Sequence, residues 1–526
     1  MTAPSARNAM LIQSLQNPSL YDHPIEHFEV IETHISWVLL TGPYAYKIKK
    51  PVNLGFLDFS TLEKRHHYCQ EELRLNRRLS PELYLDVIAI TGGPDAPVLD
   101  GAGAPIEYAV KMAQFPQQAQ MDRVMARGGL KPAHIDGLAQ QIAAFHGRIA
   151  IAGANSPYGS PANVYQPVEE NFLQIRPHLA ATDDITQLER LRAWSEAAHG
   201  RRLAELQARK DQGFIRECHG DMHLANMVLL DDRIALFDCL EFNDNLRWID
   251  VISETAFLMM DLDSRGHGPL GWRFLNGYLS ATGDYSGLRL LRYYLVYRAL
   301  VRAKVARIRL GQAGLSAQER HATQQQYHRY ADLAEHYTHP RPAPLIITHG
   351  LSGSGKTTLT QPLLEALGAI RLRSDVERKR LFGLPEMART GSGVATGLYT
   401  ADASQRTYQH LANLARTAIE SGLPVIVDAT FLKRAQRAAF HELASQLHAP
   451  FGILDYQASE TALRARIGQR TVENRDASEA GIAVLEHQLA THEPLTPEES
   501  AHVIAVDTEQ VNVPDHVISE LSRRMR

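Results

Sequence analysis

The chain has 526 residues, of which 44% are hydrophobic and 22% are charged, a composition typical of a globular protein with several folding units. Its 55 Lys and Arg residues against 59 Asp and Glu residues give a net charge of -4, which argues against general binding to nucleic acid or anionic membranes. Cys69, Cys218 and Cys239 form no C-x-x-C pair, so we expect no disulfide scaffold or cysteine zinc site, and a reducing, cytoplasmic location.

No secretory leader and no membrane partner are expected. The segment from Met1 to Pro24 contains Asn, Ser, Gln and Pro where a leader needs an unbroken apolar stretch. No run of about 18 or more uncharged apolar residues, the length that a membrane span needs, occurs in the sequence.

The first third of the chain predicts a small sheet with one helix inserted. Apolar and alternating runs predict strands at Ile35–Leu40, Tyr44–Lys49, Leu83–Ile90 and Ile106–Met112, and a helix at Thr61–Leu79. From Ile135 onward helical periodicity dominates, and the only later strands predicted are short ones at Met227–Leu230 and Ile234–Phe237. The pattern indicates a β-rich lobe followed by a helical lobe.

A proline-rich segment divides the chain. Pro340, Pro342 and Pro344 fall within five residues and favour an extended, solvated segment over a continued helix. We therefore expect one domain over residues 1–335, a linker over 336–343 and a second domain over 344–526.

The second domain alternates strands and helices. Strands are predicted at Leu345–Thr348, Ala369–Leu372, Val425–Val427 and Gly452–Tyr456, with a helix at Lys356–Leu367 after the first of them. Strands separated by helices indicate an α/β fold with a parallel sheet.

Gly350 to Thr357 fit the pattern G-x-x-x-x-G-K-[ST] between an apolar strand and a helix, which is the context of a phosphate-binding P-loop. Glycines let backbone N–H groups face phosphate oxygens, the lysine reaches the β- and γ-phosphates, and the threonine hydroxyl can bind Mg²⁺. The residues predicted to bind nucleotide are Gly350, Ser352, Gly353, Ser354, Gly355, Lys356, Thr357 and Thr358.

Carboxylates follow two strands of this domain. Asp375 comes after the second strand, where it could accept a hydroxyl proton, and Asp428 ends the apolar run PVIV, where it could hold Mg²⁺ with Thr357. The alternative for Asp428 is a carboxylate that caps the next helix. The arginines of residues 464–475 fit either a solvated helix face or a phosphate-binding lid, with Arg470 and Arg475 as lid candidates and Arg464 facing solvent.

The segments GLSGSGKTTL, RSDVERKRL, VIVDATFLKRAQR and RARIGQRTVENRDASEA resemble the small kinases of the P-loop superfamily, similar to gluconate kinase and the polynucleotide 5′-hydroxyl kinases. The resemblance implies Asp375 as general base, Arg378 as a cation on the substrate side, and Arg470 with Arg475 in a lid. It leaves open a nucleic-acid substrate, gripped by Arg378, Lys379 and Arg380.

A second motif lies in the first domain. His219, Asp221 and Asn226 have the spacing H-x-D-x-x-x-x-N, and Asp238 follows at the end of an apolar strand. In this arrangement Asp221 would accept a hydroxyl proton while Asn226 and Asp238 bind Mg²⁺. The alternative is a hydrolase metal site built from His219, His223, Asp221 and Asp238.

HGDMHLANM followed by LFDCLEFN resembles the aminoglycoside phosphotransferase and choline kinase group, which has the protein-kinase-like fold, and the likeness extends over most of residues 30–330. It implies Asp221 as catalytic base, Asn226 and Asp238 as Mg²⁺ ligands, and Asp250 as a buried structural carboxylate.

The nucleotide-binding lysine of this domain is expected on a strand of the small lobe. Ala45 and Lys47 share one strand face, which favours Lys47, with Lys49 and then Lys111 as alternatives. Its glutamate partner is expected at Glu72, with Glu71 as the alternative.

Together the two resemblances liken the chain to the bacterial fusions of an aminoglycoside-phosphotransferase-like domain and a P-loop ATP-binding domain. The fold class expected is an N-terminal protein-kinase-like α+β domain and a C-terminal α/β P-loop kinase domain. Each would use ATP and Mg²⁺ to phosphorylate a small-molecule hydroxyl. Two alternatives are a polynucleotide 5′-hydroxyl kinase in the C-terminal domain, and a non-catalytic ATP-sensing role for one domain.

Overall fold

The computed structural model describes residues 3–55, 57–311, 314–390, 400–473, 477–510 and 513–524. The helices are α1 Ala3–Ser14, α2 Leu62–Asn76, α3 Met121–Ala126, α4 Pro132–Arg148, α5 Pro161–Ile175, α6 Thr182–Arg201, α7 Leu203–Asp211, α8 Asp244–Arg247, α9 Val251–Ser264, α10 Gly268–Thr282, α11 Leu288–Leu310, α12 Ala317–Thr338, α13 Lys356–Leu367, α14 Ser374–Leu381, α15 Ala401–Glu420, α16 Arg434–Gln446, α17 Glu460–Glu473, α18 Ile482–Thr491 and α19 Val513–Arg524.

The strands are β1 Glu29–Glu32, β2 Ser36–Leu40, β3 Tyr44–Lys49, β4 Tyr84–Gly92, β5 Pro97–Leu99, β6 Glu107–Ala113, β7 Ile215–Glu217, β8 Met227–Leu230, β9 Arg233–Leu236, β10 Trp248–Asp250, β11 Leu345–His349, β12 Ile370–Arg373, β13 Val425–Asp428, β14 Phe451–Gln457 and β15 Val503–Asp507. The chain forms two compact units, residues 1–137, 144–167 and 206–258 in the first, and residues 138–143, 168–205 and 259–526 in the second.

The first unit is built around an antiparallel sheet with the strand order β1-β2-β3-β6-β4-β5. One sheet face packs against α2 and the β8–β9 hairpin, and the other packs against α1. In β3, Ala45 lies on the α2 side, while Tyr46 and Ile48 lie on the α1 side, as the alternation of side chains along a strand requires. This alternation directs Lys47 and Lys49 to the α2 side.

The second unit contains a parallel sheet with the order β12-β13-β11-β14-β15. Its central strands are apolar and buried, since helices cover a parallel sheet of this kind on both faces. On one face, α13 and α19 pack over residues of β11, β13, β14 and β15. Helix α11 packs along α12, and α10 packs against α13 within the same unit.

The fold class expected from the sequence is confirmed, including the parallel sheet of the C-terminal part. Every strand predicted between residues 35 and 112, and between 345 and 456, is present with small shifts of its ends. The expectation of only two short strands after residue 135 in the first domain was wrong, because β7 and β10 pair with each other as well. Strands β1, β5 and β15 and helix α1 were not predicted.

The segment of residues 339–344 is neither helix nor strand, and most of it is exposed. Helix α12 ends at Thr338, so the predicted linker at 336–343 overlaps the last turn of that helix. In the described parts of the chain, none of the helices combines the length and the apolar character that crossing a membrane requires.

Candidate active sites

Lys47 lies at the centre of a charged cluster in the first unit. Its Nζ is 2.7 Å from Glu72 Oε1 and 2.5 Å from Asp238 Oδ1. Although burial lowers the pKa of Lys47, the carboxylates of Asp238 and Glu72 raise it well above its usual value. The structure therefore brings together the lysine, the glutamate and one aspartate that the sequence selected for this site.

The alternatives considered for this lysine and glutamate make other contacts. Lys49 is fully buried between Glu72 and Glu241. Lys111 stacks over the ring of Tyr44, with its Nζ 4.3 Å from the ring centroid. Glu71 is paired with Arg74 at 2.7 Å. Lys47 is thus the lysine of this group that contacts the predicted metal ligand.

Asp221 and Asn226 lie on the loop between β7 and β8. Asn226 Nδ2 donates to Asp221 Oδ2 at 2.9 Å and to the Asp221 carbonyl at 3.0 Å. The Asp221 side chain is 36% exposed, so it can meet a substrate. Because Asn226 donates through Nδ2, Oδ1 is the atom of its amide that can bind a cation.

The oxygen donors of Asp238 and Asn226 fit Mg²⁺, which prefers carboxylate and carbonyl ligands and retains water. The alternative hydrolase site is not formed by the described residues. His219 Nε2 donates a hydrogen bond to the Phe237 carbonyl oxygen at 2.9 Å. The described group of His, Cys, Asp and Glu side chains close enough to share a metal is instead His146, Cys218 and Glu254.

Glu254 supports the loop that carries Asp221 and was missed from the sequence. It is completely buried on α9, where it accepts the Gly220 N–H at 2.7 Å and lies 2.8 Å from His146 Nε2. An acidic residue inside an apolar helix was the available signal, because such a charge needs buried partners. Glu254 thereby fixes the residue immediately before Asp221.

Asp250 has the structural position expected from the resemblance. It is buried and accepts two hydrogen bonds from Arg209, at 2.5 Å from Nε and 2.7 Å from Nη2. It also accepts the Ile252 N–H at 3.0 Å. These contacts join the end of β10 to α7 and the start of α9.

In the second unit, the loop between β11 and α13 has the conformation that its glycines permit. Gly350, Gly353 and Gly355 have φ of +141°, +84° and +84°, values that favour glycine. A Cβ atom at Gly350 would lie 2.6 Å from the Tyr456 carbonyl oxygen. The loop therefore requires glycine both for its turn and for its close approach to β14.

Lys356 begins α13 and folds back over the loop. Its Nζ donates to the carbonyl oxygens of Gly350 at 3.0 Å and Leu351 at 2.8 Å. Burial lowers the pKa of Lys356 to about 8, although Asp428 and Asp375 oppose the shift. Thr357 Oγ1 donates to Asp428 Oδ2 at 2.7 Å, so the two predicted metal-binding side chains are adjacent.

Asp375 and Arg378 lie on α14, directly after β12, with Asp375 Oδ1 3.6 Å from Arg378 Nη1. Strands β12 and β13 are neighbours in the sheet, so Asp375 and Asp428 emerge at the same edge. A cavity of about 1270 Å³ is lined by Lys356, Thr357, Asp375, Arg378, Asp428 and Arg470. The described residues predicted for this site thus line one cavity, except Gly350 and Ser354.

The arginines of α17 separate by helix face. Arg464 is partly exposed and pairs with Glu460 and Glu486. Arg470 donates to the Ala480 carbonyl at 2.5 Å and lines the cavity, and Arg475 lies outside the described residues. Arg466, one of the arginines of residues 464–475 to which the sequence gave no separate role, donates to Thr508 Oγ1 at 2.8 Å beside the loop. Its spacing of four from Arg470 was the signal, since such residues share a helix face.

Known families match both parts of the chain. A model described as the phosphotransferase enzyme family matches residues 69–291, and one described as an AAA domain matches residues 345–495. The uncharacterized protein Rv2004c of Mycobacterium tuberculosis is 31% identical over 471 residues, which cover 88% of this chain and 91% of that protein. The chain belongs to the same family. It therefore joins a kinase-like phosphotransferase domain to a P-loop kinase domain.

A second relative in this family, the uncharacterized protein Mb2027c of Mycobacterium bovis, has the same identity and coverage. Among solved structures, amicoumacin kinase hAmiN in complex with AMP-PNP, Ca²⁺ and Ami is 14% identical, covering 62% of this chain and 95% of that one, with a TM-score of 0.40. A gluconokinase from Sinorhizobium meliloti is 24% identical, covering 36% of this chain and 95% of that one, with a TM-score of 0.26.

Proposed function

We propose that this protein is an ATP-dependent phosphotransferase with two active sites, each transferring the γ-phosphate of ATP to a hydroxyl of a small molecule. The observation that supports this most is the presence of two separate and complete sets of phosphotransfer groups. Lys47 contacts Asp238 and Glu72 in the first unit, and Lys356 lies beside paired Thr357 and Asp428 in the second.

In the first site, Asp221 is the proposed base. It is the exposed carboxylate of the catalytic loop, and Asn226 orients one of its oxygens by hydrogen bonding. The other oxygen can accept the proton of a hydroxyl as that hydroxyl attacks the γ-phosphate. Asn226 and Asp238 would hold Mg²⁺, which neutralises phosphate charge when bound. Lys47 would leave Asp238 and bind phosphate oxygens.

In the second site, Asp375 is the proposed base and Arg378 the cation on the substrate side. The loop amides of residues 350–357 and the ammonium of Lys356 would bind the β- and γ-phosphates. Thr357 and Asp428 would hold Mg²⁺, because hydroxyl and carboxylate oxygens suit this ion. Arg470, and Arg466 beside it, would stabilise charge on the transferred group.

A small-molecule acceptor is favoured over a polynucleotide for the second site. Of the three cations in the α14 sequence, Lys379 is buried and donates to the Glu386 and Ala477 carbonyls at 2.8 Å and 2.7 Å. Arg380 contacts Glu377 and the Ser280 carbonyl. Arg378 therefore remains as the α14 cation that lines the cavity, so α14 does not offer a cluster of three cations to a phosphate backbone.

The test is a screen for transfer of labelled γ-phosphate to polyols, sugars, amino alcohols and 5′-hydroxyl oligonucleotides. Asp221→Asn should reduce the rate of formation of one class of product, and Asp375→Asn that of another, each by at least about 100-fold. Asp95→Asn in the first unit and Asp402→Asn in the second unit, both at exposed positions, are the matched controls.

Products that survive both variants would reject the assigned bases. If one variant loses every product while the unsubstituted site still binds ATP, then the unsubstituted site only senses ATP. If the parent protein labels the oligonucleotide and Asp375→Asn does not, the polynucleotide alternative is established for the second site.

A further inference from the structure

Lys49 and Glu241 form a second buried ion pair next to Lys47 and Glu72. Lys49 Nζ lies 2.6 Å from Glu72 Oε2 and is also bonded to Glu241 Oε1. The side chains of Lys49 and Glu241 are 1% and 4% exposed. Each depends on the other, because an unpaired buried charge is costly.

Glu241 ends the short segment that begins with Asp238, and the backbone of this segment is tightly held. Asp238 has a φ of +64°, in the left-handed region that needs support from its surroundings. Its N–H donates to Tyr84 Oη at 2.9 Å, and the Cys239 N–H donates to Asn76 Oδ1 at 2.9 Å. The Glu241 carboxylate on Lys49 anchors the far end of the segment.

These side chains close a ring of alternating charge. Asp238 contacts Lys47, Lys47 contacts Glu72, Glu72 contacts Lys49, and Lys49 contacts Glu241. The peptide backbone from 238 to 241 completes the ring. When Lys47 turns to a phosphate, the contact with Asp238 is lost, but Glu72, Lys49 and Glu241 can still hold the segment.

We propose that Lys49 and Glu241 are positioning residues that keep Asp238 at the metal site once Lys47 has moved to the nucleotide. The proposal rests on the proposed function of the first site, in which Asp238 binds Mg²⁺. It predicts that removing the pair lowers the gain in ATP affinity that Mg²⁺ produces. The ATP affinity without Mg²⁺ should change little.

The test uses the full chain with Lys356→Ala, so that the second site does not bind nucleotide. Calorimetry measures ATP affinity with and without Mg²⁺ in this parent and after adding Lys49→Met or Glu241→Gln. Mg²⁺ increases the ATP affinity of the parent by some factor, and in each variant this factor should be about 10-fold to 100-fold smaller. This is the usual effect of removing a partner that orients a metal ligand. ATP affinity without Mg²⁺ should change by less than about threefold.

Lys50→Met is the matched control, since Lys50 follows Lys49 in sequence and pairs at 2.6 Å with the exposed Glu32. It should leave both affinities unchanged. Lys49→Arg, which keeps the charge, should recover most of the Mg²⁺ effect. Glu241→Gln is nearly isosteric and tests the proposal if Lys49→Met fails to fold.

A normal Mg²⁺ effect in Glu241→Gln overturns the proposal while leaving the proposed function intact. Loss of ATP binding without Mg²⁺ in Lys49→Met, with Lys47→Met still binding, would instead make Lys49 the phosphate lysine and also overturn it. Unfolding of both variants would make the pair a stability element only. Absence of Mg²⁺-ATP binding in the Lys356→Ala parent would reject the proposed function of the first site itself.

Discussion

Lys47 and Lys356, proposed to bind phosphate in the two sites, are held differently before a nucleotide binds. Lys47 is paired with two carboxylates, which raise its pKa well above the usual value against the effect of burial. Lys356 contacts carbonyl oxygens of its own loop, and burial lowers its pKa to about 8. Binding of a triphosphate is therefore more favourable for Lys356 than for Lys47, because Lys356 does not have to break an ion pair with a carboxylate.

This difference leads to a prediction for the full chain. Lys356→Ala should reduce the number of ATP molecules bound from two to one, since the loop amides alone do not neutralise a triphosphate. Calorimetric titration measures the stoichiometry, and the affinity lost at the second site should be at least about tenfold. Lys433→Ala, at the rim of the same cavity, is the control and should still bind two. Two unchanged sites in Lys356→Ala would remove the assignment of the loop.

At the scale of single residues, the sequence predicted what depends on local spacing. Alternation along β3 placed Lys47 on the same face as Ala45, and the motif spacing selected Asp221, Asn226 and Asp238. Glu241 and Glu254 were missed, because their partners Lys49 and Gly220 lie 192 and 34 residues away in sequence. Only tertiary folding reveals which buried charges such residues neutralise.

At the scale of elements, long apolar segments were predicted and short or edge elements were not. Strands β7 and β10 have three residues each and pair with each other, Trp248 opposite Glu217. Ile215–Glu217 includes an arginine and a glutamate, so no apolar run marks it as a strand. Short strands of this kind form because a partner strand is brought beside them, which local sequence does not show.

Helix α14 carries the proposed base, and a buried glutamate holds this helix in place. Glu377 accepts a hydrogen bond from Tyr285 Oη at 3.2 Å and lies 3.1 Å from His410 Nε2. Arg380 Nε is 3.2 Å from the same carboxylate. Burial raises the pKa of Glu377, but the His410 hydrogen bond and the Arg380 charge bring it below its ordinary value. The contacts therefore stabilise the folded chain when Glu377 is ionised.

The sign of the pH dependence follows from this lowered pKa. Glu377 contributes stability above its ordinary pKa of 4.5, and this contribution is lost as the pH falls below that value. Glu377→Gln should lower the free energy of unfolding by about 1–3 kcal/mol at pH 7, and the difference from the parent should shrink between about pH 5 and pH 3. Urea unfolding at each pH measures it. A pH-independent difference would mean that the carboxylate is not ionised in the folded chain.

At the scale of the whole molecule, helices that precede the proline-rich segment share contacts with the P-loop domain inside the second unit. Asn276 of α10 donates to the Ala369 carbonyl at 2.9 Å and accepts the Arg371 N–H at 2.7 Å. It thereby satisfies backbone groups at the start of β12, the edge strand of the parallel sheet. Arg273 pairs with Glu365 of α13 at 2.8 Å. Through these contacts, residues that lie before the linker stabilise the P-loop domain.

Cutting the backbone within the exposed segment 340–343 should therefore leave the two pieces associated. With a specific protease site inserted there, the cleaved protein should elute from size-exclusion chromatography as one species at micromolar concentration. Asn276→Leu removes the partner of the Ala369 carbonyl and of the Arg371 N–H, a cost of about 1–3 kcal/mol for each group. It should raise the dissociation constant of the pieces at least about tenfold, whereas Gln325→Leu, on an exposed part of α12, should not. Pieces that separate at once on cleavage of the parent would show that the domains at 1–335 and 344–526 are independent, and that α10 does not support the sheet.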